Sequence, residues 1–126
     1  MKTLLEEADE MQKYLELEYP YTVTEIIERI KILSGYMARS GAMLADARKL
    51  YRRKVSSEIA NTIIKIAKEN YLSAKAQNAL VSAIAEDEAF LVDKLERINR
   101  TCVHQIEALR TILSFEKESL RLGGYD

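Results

Sequence analysis

Pro20 is the only proline in this chain, and of its four glycines two stand side by side near the end, at 123 and 124. The residues between carry almost nothing that breaks a helix or turns a strand, and their apolar positions recur every three or four residues. That combination leaves long helices as the one regular structure available. In the first segment Leu4, Ala8, Met11 and Leu15 mark one apolar face, with Thr3 as N-cap and Glu6 three residues on to complete a capping box. "EYPYT" ends that helix, because a proline disfavours helical backbone at the residue before it, here Tyr19. Thr22 or Thr24 caps the next.

From Val23 to about Lys68 the pattern runs on without a stop. Ile26, Ile30, Leu33, Met37, Leu44, Ala47, Tyr51 and Val55 form a stripe into which Gly41 also falls. At ~1.5 Å per residue an uninterrupted helix of that span approaches 70 Å. Gly35 and Gly41 each cost about 1 kcal/mol relative to alanine; Gly41, on the apolar face, is expected at a close helix contact. "KENYLS" is the next punctuation, with Asn70 in a left-handed C-cap and Ser73 as the N-cap of another helix. That last helix runs to about Leu122, where "GGYD" frays, with Leu91, Leu95, Ile98, Cys102, Ile106, Leu109 and Leu113 as its apolar row.

The expected architecture is therefore all-α and a single domain, residues 1–126. Helices of about 3–18, 23–68 and 74–122 make a long antiparallel hairpin with a shorter N-terminal helix, a three-helix bundle of coiled-coil-like packing. If the hairpin turns near Tyr71, Leu91 faces Tyr51, Ile98 faces Leu44, and Cys102 faces Ser40 and Gly41. The first helix is expected beside the early part of the second and the C-terminal part of the last. The far end lacks such cover although Ile59, Ile63, Ile66, Leu80 and Ile84 gather there. Either residues 74–85 bend back as a separate cap, or a second copy covers the patch; self-association is favoured.

Apolar residues make up 48% of the chain, too many for disorder. Nineteen basic against twenty acidic residues give a net charge of -1, so only a local patch argues for nucleic acid. One cysteine excludes an internal disulfide and a cysteine-based zinc cluster, and suits a reducing compartment such as the cytoplasm. The acidic N-terminus does not read as a signal peptide, and no apolar run nears the ~18 residues of a membrane span.

Cys102 lies on the apolar row, as a small buried hydrophobe rather than a nucleophile. His104, two residues on, points away from it and forms no catalytic pair. His104 and Glu107 alone supply neither the ligand number nor the inward geometry of a metal centre. No phosphate-binding glycine loop, second histidine or nucleophile elbow is present, so no catalytic, cofactor or metal residue is assigned. Two surfaces remain. Arg48, Lys49, Arg52, Arg53 and Lys54 form a cluster with no acid among them, either paired across the hairpin with Glu86, Asp87 and Glu88, Arg52 to Asp87 above all, or free for phosphate with Tyr51 for base stacking. The ion-pair reading ranks first. Arg97, Arg100, His104, Thr111 and Phe115 form an outward row on the last helix, suited to a protein partner.

Residues 36–54, "YMARSGAMLADARKLYRRK", together with 97–117, "RINRTCVHQIEALRTILSFEK", resemble small helical proteins encoded by bacteriophages and integrated mobile elements of bacteria. The likeness covers the second and last helices, roughly half the chain. It implies an interaction role near recombination or host defence and transfers no site residue. The leading expectation is a non-enzymatic protein that self-associates and binds a protein partner; the alternative is a nucleic-acid-binding accessory in recombination or packaging, using residues 48–54.

Overall fold

Thr3 and Thr22 are helix N-caps, their hydroxyl oxygens accepting from the backbone N–H of Glu6 and Glu25 at 3.1 and 3.2 Å. Each satisfies one of the donors that a helix start leaves free. They open α1 (Leu4–Leu15) and α2 (Val23–Val55) of a computed structural model that describes residues 1–123. Three further helices complete it, α3 (Glu58–Glu69), α4 (Ala74–Ile84) and α5 (Glu86–Gly123), and no strand occurs among the described residues. The expected fraying of "GGYD" falls on residues 124–126, which lie outside the described ones.

The molecule is all-α, but both long helices are interrupted where the sequence pattern runs straight through. α2 stops at Val55 because the next two residues are serines. Ser56 caps its C-terminus, and Ser57 takes an extended conformation (φ -69°, ψ 163°) in which its hydroxyl accepts from Ala60 N–H. Serine competes for backbone groups through its side chain, and two in succession offer a helix both an exit and a new start. At the same level Ala85 separates α4 from α5. It has no capping side chain, and the acids Glu86, Asp87 and Glu88 occupy the first turn of α5 instead. Negative charge there complements the partial positive charge of the helix start. Residues 74–85 thus bend back as a separate element.

The turn between α3 and α4 differs in one residue from expectation. Asn70 keeps φ at -97°, and the left-handed residue is Tyr71, at φ 58°. Leu72 N–H donates to Ala67 O and Tyr71 N–H to Lys68 O, both at 3.0 Å. This crossed pair closes the last turn of α3 in the manner usually reserved for glycine.

α2 and α5 pack antiparallel and bury Ile26, Leu33, Met43 and Ala47 against Leu95, Ile98, Cys102 and Leu109, all at most 1% exposed. Each large side chain so removed from water contributes ~1.5–3 kcal/mol. The expected register holds to within a turn: Arg48 reaches Glu96, and Asn99 Nδ2 donates to Met37 O and Ser40 Oγ. That bond also explains how Ser40, fully buried, is tolerated. Met37 is more exposed than its place in the stripe implied, and Met43 takes the core position. Gly35 and Gly41 both lie inside α2; Gly41 is exposed and does not mark the close helix contact expected of it, since a methyl group there would sit 3.7 Å from Asn99 Nδ2, ordinary contact, and one on Gly35 would meet nothing within 4 Å.

α1 covers one side of this hairpin with Ala8, Met11 and Leu15. Glu7 pairs with Arg39 of α2, while Asp9 pairs with Lys94 and the Leu15 carbonyl accepts from Gln105 of α5. α1 therefore runs antiparallel to α2 and parallel to α5, beside the middle of α5 rather than its C-terminal part. Beyond Leu113, through Leu122, the residues of α5 are exposed, among them Phe115, Leu120 and Leu122 at 73, 68 and 64%.

Candidate functional site

The α3–α4 tip has no core of its own. Its buried residues are Ala60 and Ala67 in α3 and none in α4. The five side chains expected at a self-association surface all lie here: Ile59, Ile66 and Leu80 are exposed at 60, 53 and 42%, and Ile63 and Ile84 are half-buried. Tyr71 and Leu72 add to the same end. Helices of 11 and 12 residues are marginal by themselves in water, since nucleation is costly and few bonds repay it.

The basic cluster at the end of α2 is not neutralised in the expected way. Asp87 is exposed in the first turn of α5, and the Arg52–Asp87 pair is not formed. Arg48 instead reaches Glu96 at 3.0 Å, deeper along the hairpin. Among the described residues no carboxylate pairs with Lys49, Arg52, Arg53 or Lys54, the first three of which are exposed. Arg48, Tyr51 and Arg52 line an open groove of about 380 Å³ with Ala89, Val92 and Asp93. Lys49 and Arg53 are not among its lining residues, so the cluster is divided between this groove and the rest of the helix surface.

On α5 the row of Arg97, Arg100, His104, Thr111 and Phe115 is exposed on the outward side. His104 Nδ1 stands 3.9 Å from Glu107 Oε2, and Thr111 Oγ1 donates to Glu107 O at 3.0 Å. Cys102 is fully buried, and burial pushes its thiol above the ordinary cysteine value. No group of three or more His, Cys, Asp or Glu among the described residues is placed to hold a metal ion, and no described helix is long and apolar enough to cross a membrane.

Sequence reasoning passed over the most constrained polar residue, Arg29. It is 5% exposed at the junction of α1 and α2. Its guanidinium donates to Glu18 O at 2.5 Å, Leu17 O at 2.9 Å and Gln105 Oε1 at 3.2 Å, while Nε has no acceptor. Tyr14 and Tyr19 each present a ring 5.3 Å from the guanidinium carbon. A cation held by carbonyls just beyond a helix C-terminus complements the dipole there and ties α1, α2 and α5 together. Its position, three residues after Ile26 and four before Leu33, placed it on the buried row, and that was the available signal. Comparison with family models, with curated proteins and with solved structures finds no match to this chain.

Proposed function

We propose that this chain is a non-enzymatic helical interaction protein of the kind encoded by bacteriophages or integrated elements, acting in the bacterial cytoplasm. It self-associates through the α3–α4 tip and binds a protein partner along the outward row of α5. The observation that carries this reading is the coreless tip, where every isoleucine and leucine between residues 58 and 84 keeps some exposure. Apolar surface gathered at one end of a molecule is the usual mark of an interface. Phe115, 73% exposed at the end of the outward row of Arg97, Arg100, His104 and Thr111, supports the second surface, since aromatic and arginine side chains are the residues most enriched in binding hot spots.

Native mass measured across the micromolar range tests the first part. A defined oligomer is expected, reduced to monomer by Ile59→Asp with Ile66→Asp while the helical circular dichroism is kept. Both side chains are more than half exposed in the single chain, so their loss reports on association rather than on folding. A wild-type chain that stays monomeric throughout refutes self-association.

Lys49, Arg52 and Arg53, exposed and without an ion-pair partner among the described residues, favour a second reading, a nucleic-acid-binding accessory in recombination or packaging. Its signature is affinity for single- or double-stranded DNA that falls steeply with salt and is lost in Arg52→Glu with Arg53→Glu.

A further inference from the structure

We infer that the groove between α1 and α5, on the flank of α1 away from α2, seats a basic amphipathic helix of a partner protein. That helix lays apolar side chains on Phe90 and Leu5 and sets lysines or arginines against Asp87, Glu88 and Asp93. This rests on the reading that a protein partner meets the outward side of α5, and it names the seat and the chemistry of that partner. Leu5, Asp9 and Gln12 fall at steps of four and three on α1, and Asp87, Phe90, Lys94, Arg97 and Thr101 at steps of three and four on α5. Asp9 pairs with Lys94 across the two rows, so they border one groove. Phe90 is the wall common to its two halves, about 380 Å³ beside Leu5, Asp87 and Glu88 and about 400 Å³ beside Gln12, Asp93 and Arg97. It is 58% exposed, and Leu5 is 43% exposed. Two parallel helices with rows at this spacing present the holes into which a further helix packs its knobs. From Asp87 to Thr101 the groove runs about 21 Å, the length of four helical turns.

Charge selects the occupant. Lys94 is already held by Asp9, and its ammonium stands 5.8 Å from the centre of the Phe90 ring. Asp87, Glu88 and Asp93 line the groove without an ion-pair partner among the described residues, which sets three carboxylates against Arg97. Asp87 and Asp93 stand three residues before and after Phe90, so a helix with basic residues about one turn to either side of its apolar seat answers both. The same carboxylates repel a phosphate backbone or an acidic protein. The opposite flank of α1 makes no such offer, because Glu7 and Glu10 there are answered by Arg39 and Lys2. At Arg97 the groove runs into the outward row of α5, which makes the two surfaces continuous.

The test titrates the full chain into two fluorescent synthetic peptides of about five helical turns, with leucine on one face and either lysine or glutamate on the other. The lysine peptide is expected to bind, gaining helical circular dichroism as it does, and the glutamate peptide to bind at least about 10-fold more weakly. Phe90→Ala, at an exposed position, should weaken the lysine peptide by about 10-fold or more while the chain keeps its own helicity. Asp87→Asn with Asp93→Asn should remove most of the salt dependence. No binding of the lysine peptide, equal binding of the two peptides, or binding indifferent to Phe90→Ala overturns the groove. Binding lost in Phe115→Ala but kept in Phe90→Ala overturns it too, while the partner row of α5 stands. Native mass is read on the same samples: a peptide that binds only by displacing a second chain assigns the groove to self-association and overturns the partner helix.

Discussion

Replacing Arg29 with methionine keeps most of the side chain's length and removes its charge and all its donors. The structure lets the cost be worked out. Two charge-assisted hydrogen bonds, to Glu18 O and Leu17 O, are lost at about 1.5–2 kcal/mol each, and the longer one to Gln105 adds about 0.5 kcal/mol. The two tyrosine rings at 5.3 Å contribute about 1–2 kcal/mol together. Against this, the methionine variant no longer buries an ion or leaves Nε without an acceptor, a relief of about 2–3 kcal/mol. The balance is a destabilisation of about 3 kcal/mol. Urea unfolding followed by circular dichroism reads it as a lower midpoint at unchanged slope. Arg29→Lys keeps the charge but not the planar fork that spans two carbonyls, and is expected to lose at least about 1 kcal/mol. A methionine variant as stable as the wild type would show that ion desolvation outweighs the carbonyl bonds, and the account of how α1 is fastened would be wrong.

Tyr71→Gly relieves a left-handed residue of its side-chain clash, and a gain of about 1 kcal/mol is expected in the same assay; unchanged stability would argue against that backbone geometry. Gly35→Ala meets no neighbour and is expected to stabilise α2 by about 0.5–1 kcal/mol, measured as a rise in thermal midpoint. The Arg39 guanidinium holds the Glu7 carboxyl below the usual carboxylate range, so this pair's contribution is present at neutral pH and lost as pH falls through the lowered value. Glu7→Gln should flatten that acid limb in a pH series of unfolding curves, with an effect below ~1 kcal/mol at pH 7 because both partners are partly solvated. Cys102 should react with a thiol reagent only through opening of the α2–α5 core, so its labelling rate should rise with urea in step with unfolding; fast labelling of the native chain would contradict its burial.

The rows that form the core were legible because helical burial is periodic. Leu95, Ile98, Cys102, Ile106 and Leu109 were named from spacing alone, and all five are buried. The hairpin register came from matching two such rows. The interruptions at Ser56–Ser57 and Ala85 were not legible, since serine is compatible with both helix interior and cap, and Ala85 carries no stop signal at all. The Arg52–Asp87 pair failed for a related reason: charge opposite charge on a helical net says nothing of the break that turns Asp87 outward.

Sequence by itself determined that the chain is helical, which faces are apolar, where α1 starts and ends in outline, and that α2 and α5 pair antiparallel. These rest on local propensity and on a period that repeats every turn. Only the tertiary structure decided that the far end folds back as α3 and α4, that Arg29 is buried against the carbonyls behind α1, and that Lys49, Arg52 and Arg53 have no ion-pair partner among the described residues. Those outcomes depend on which groups meet across distances of tens of residues, where a capped break or a shared carbonyl competes with the pattern and wins by a few kcal/mol.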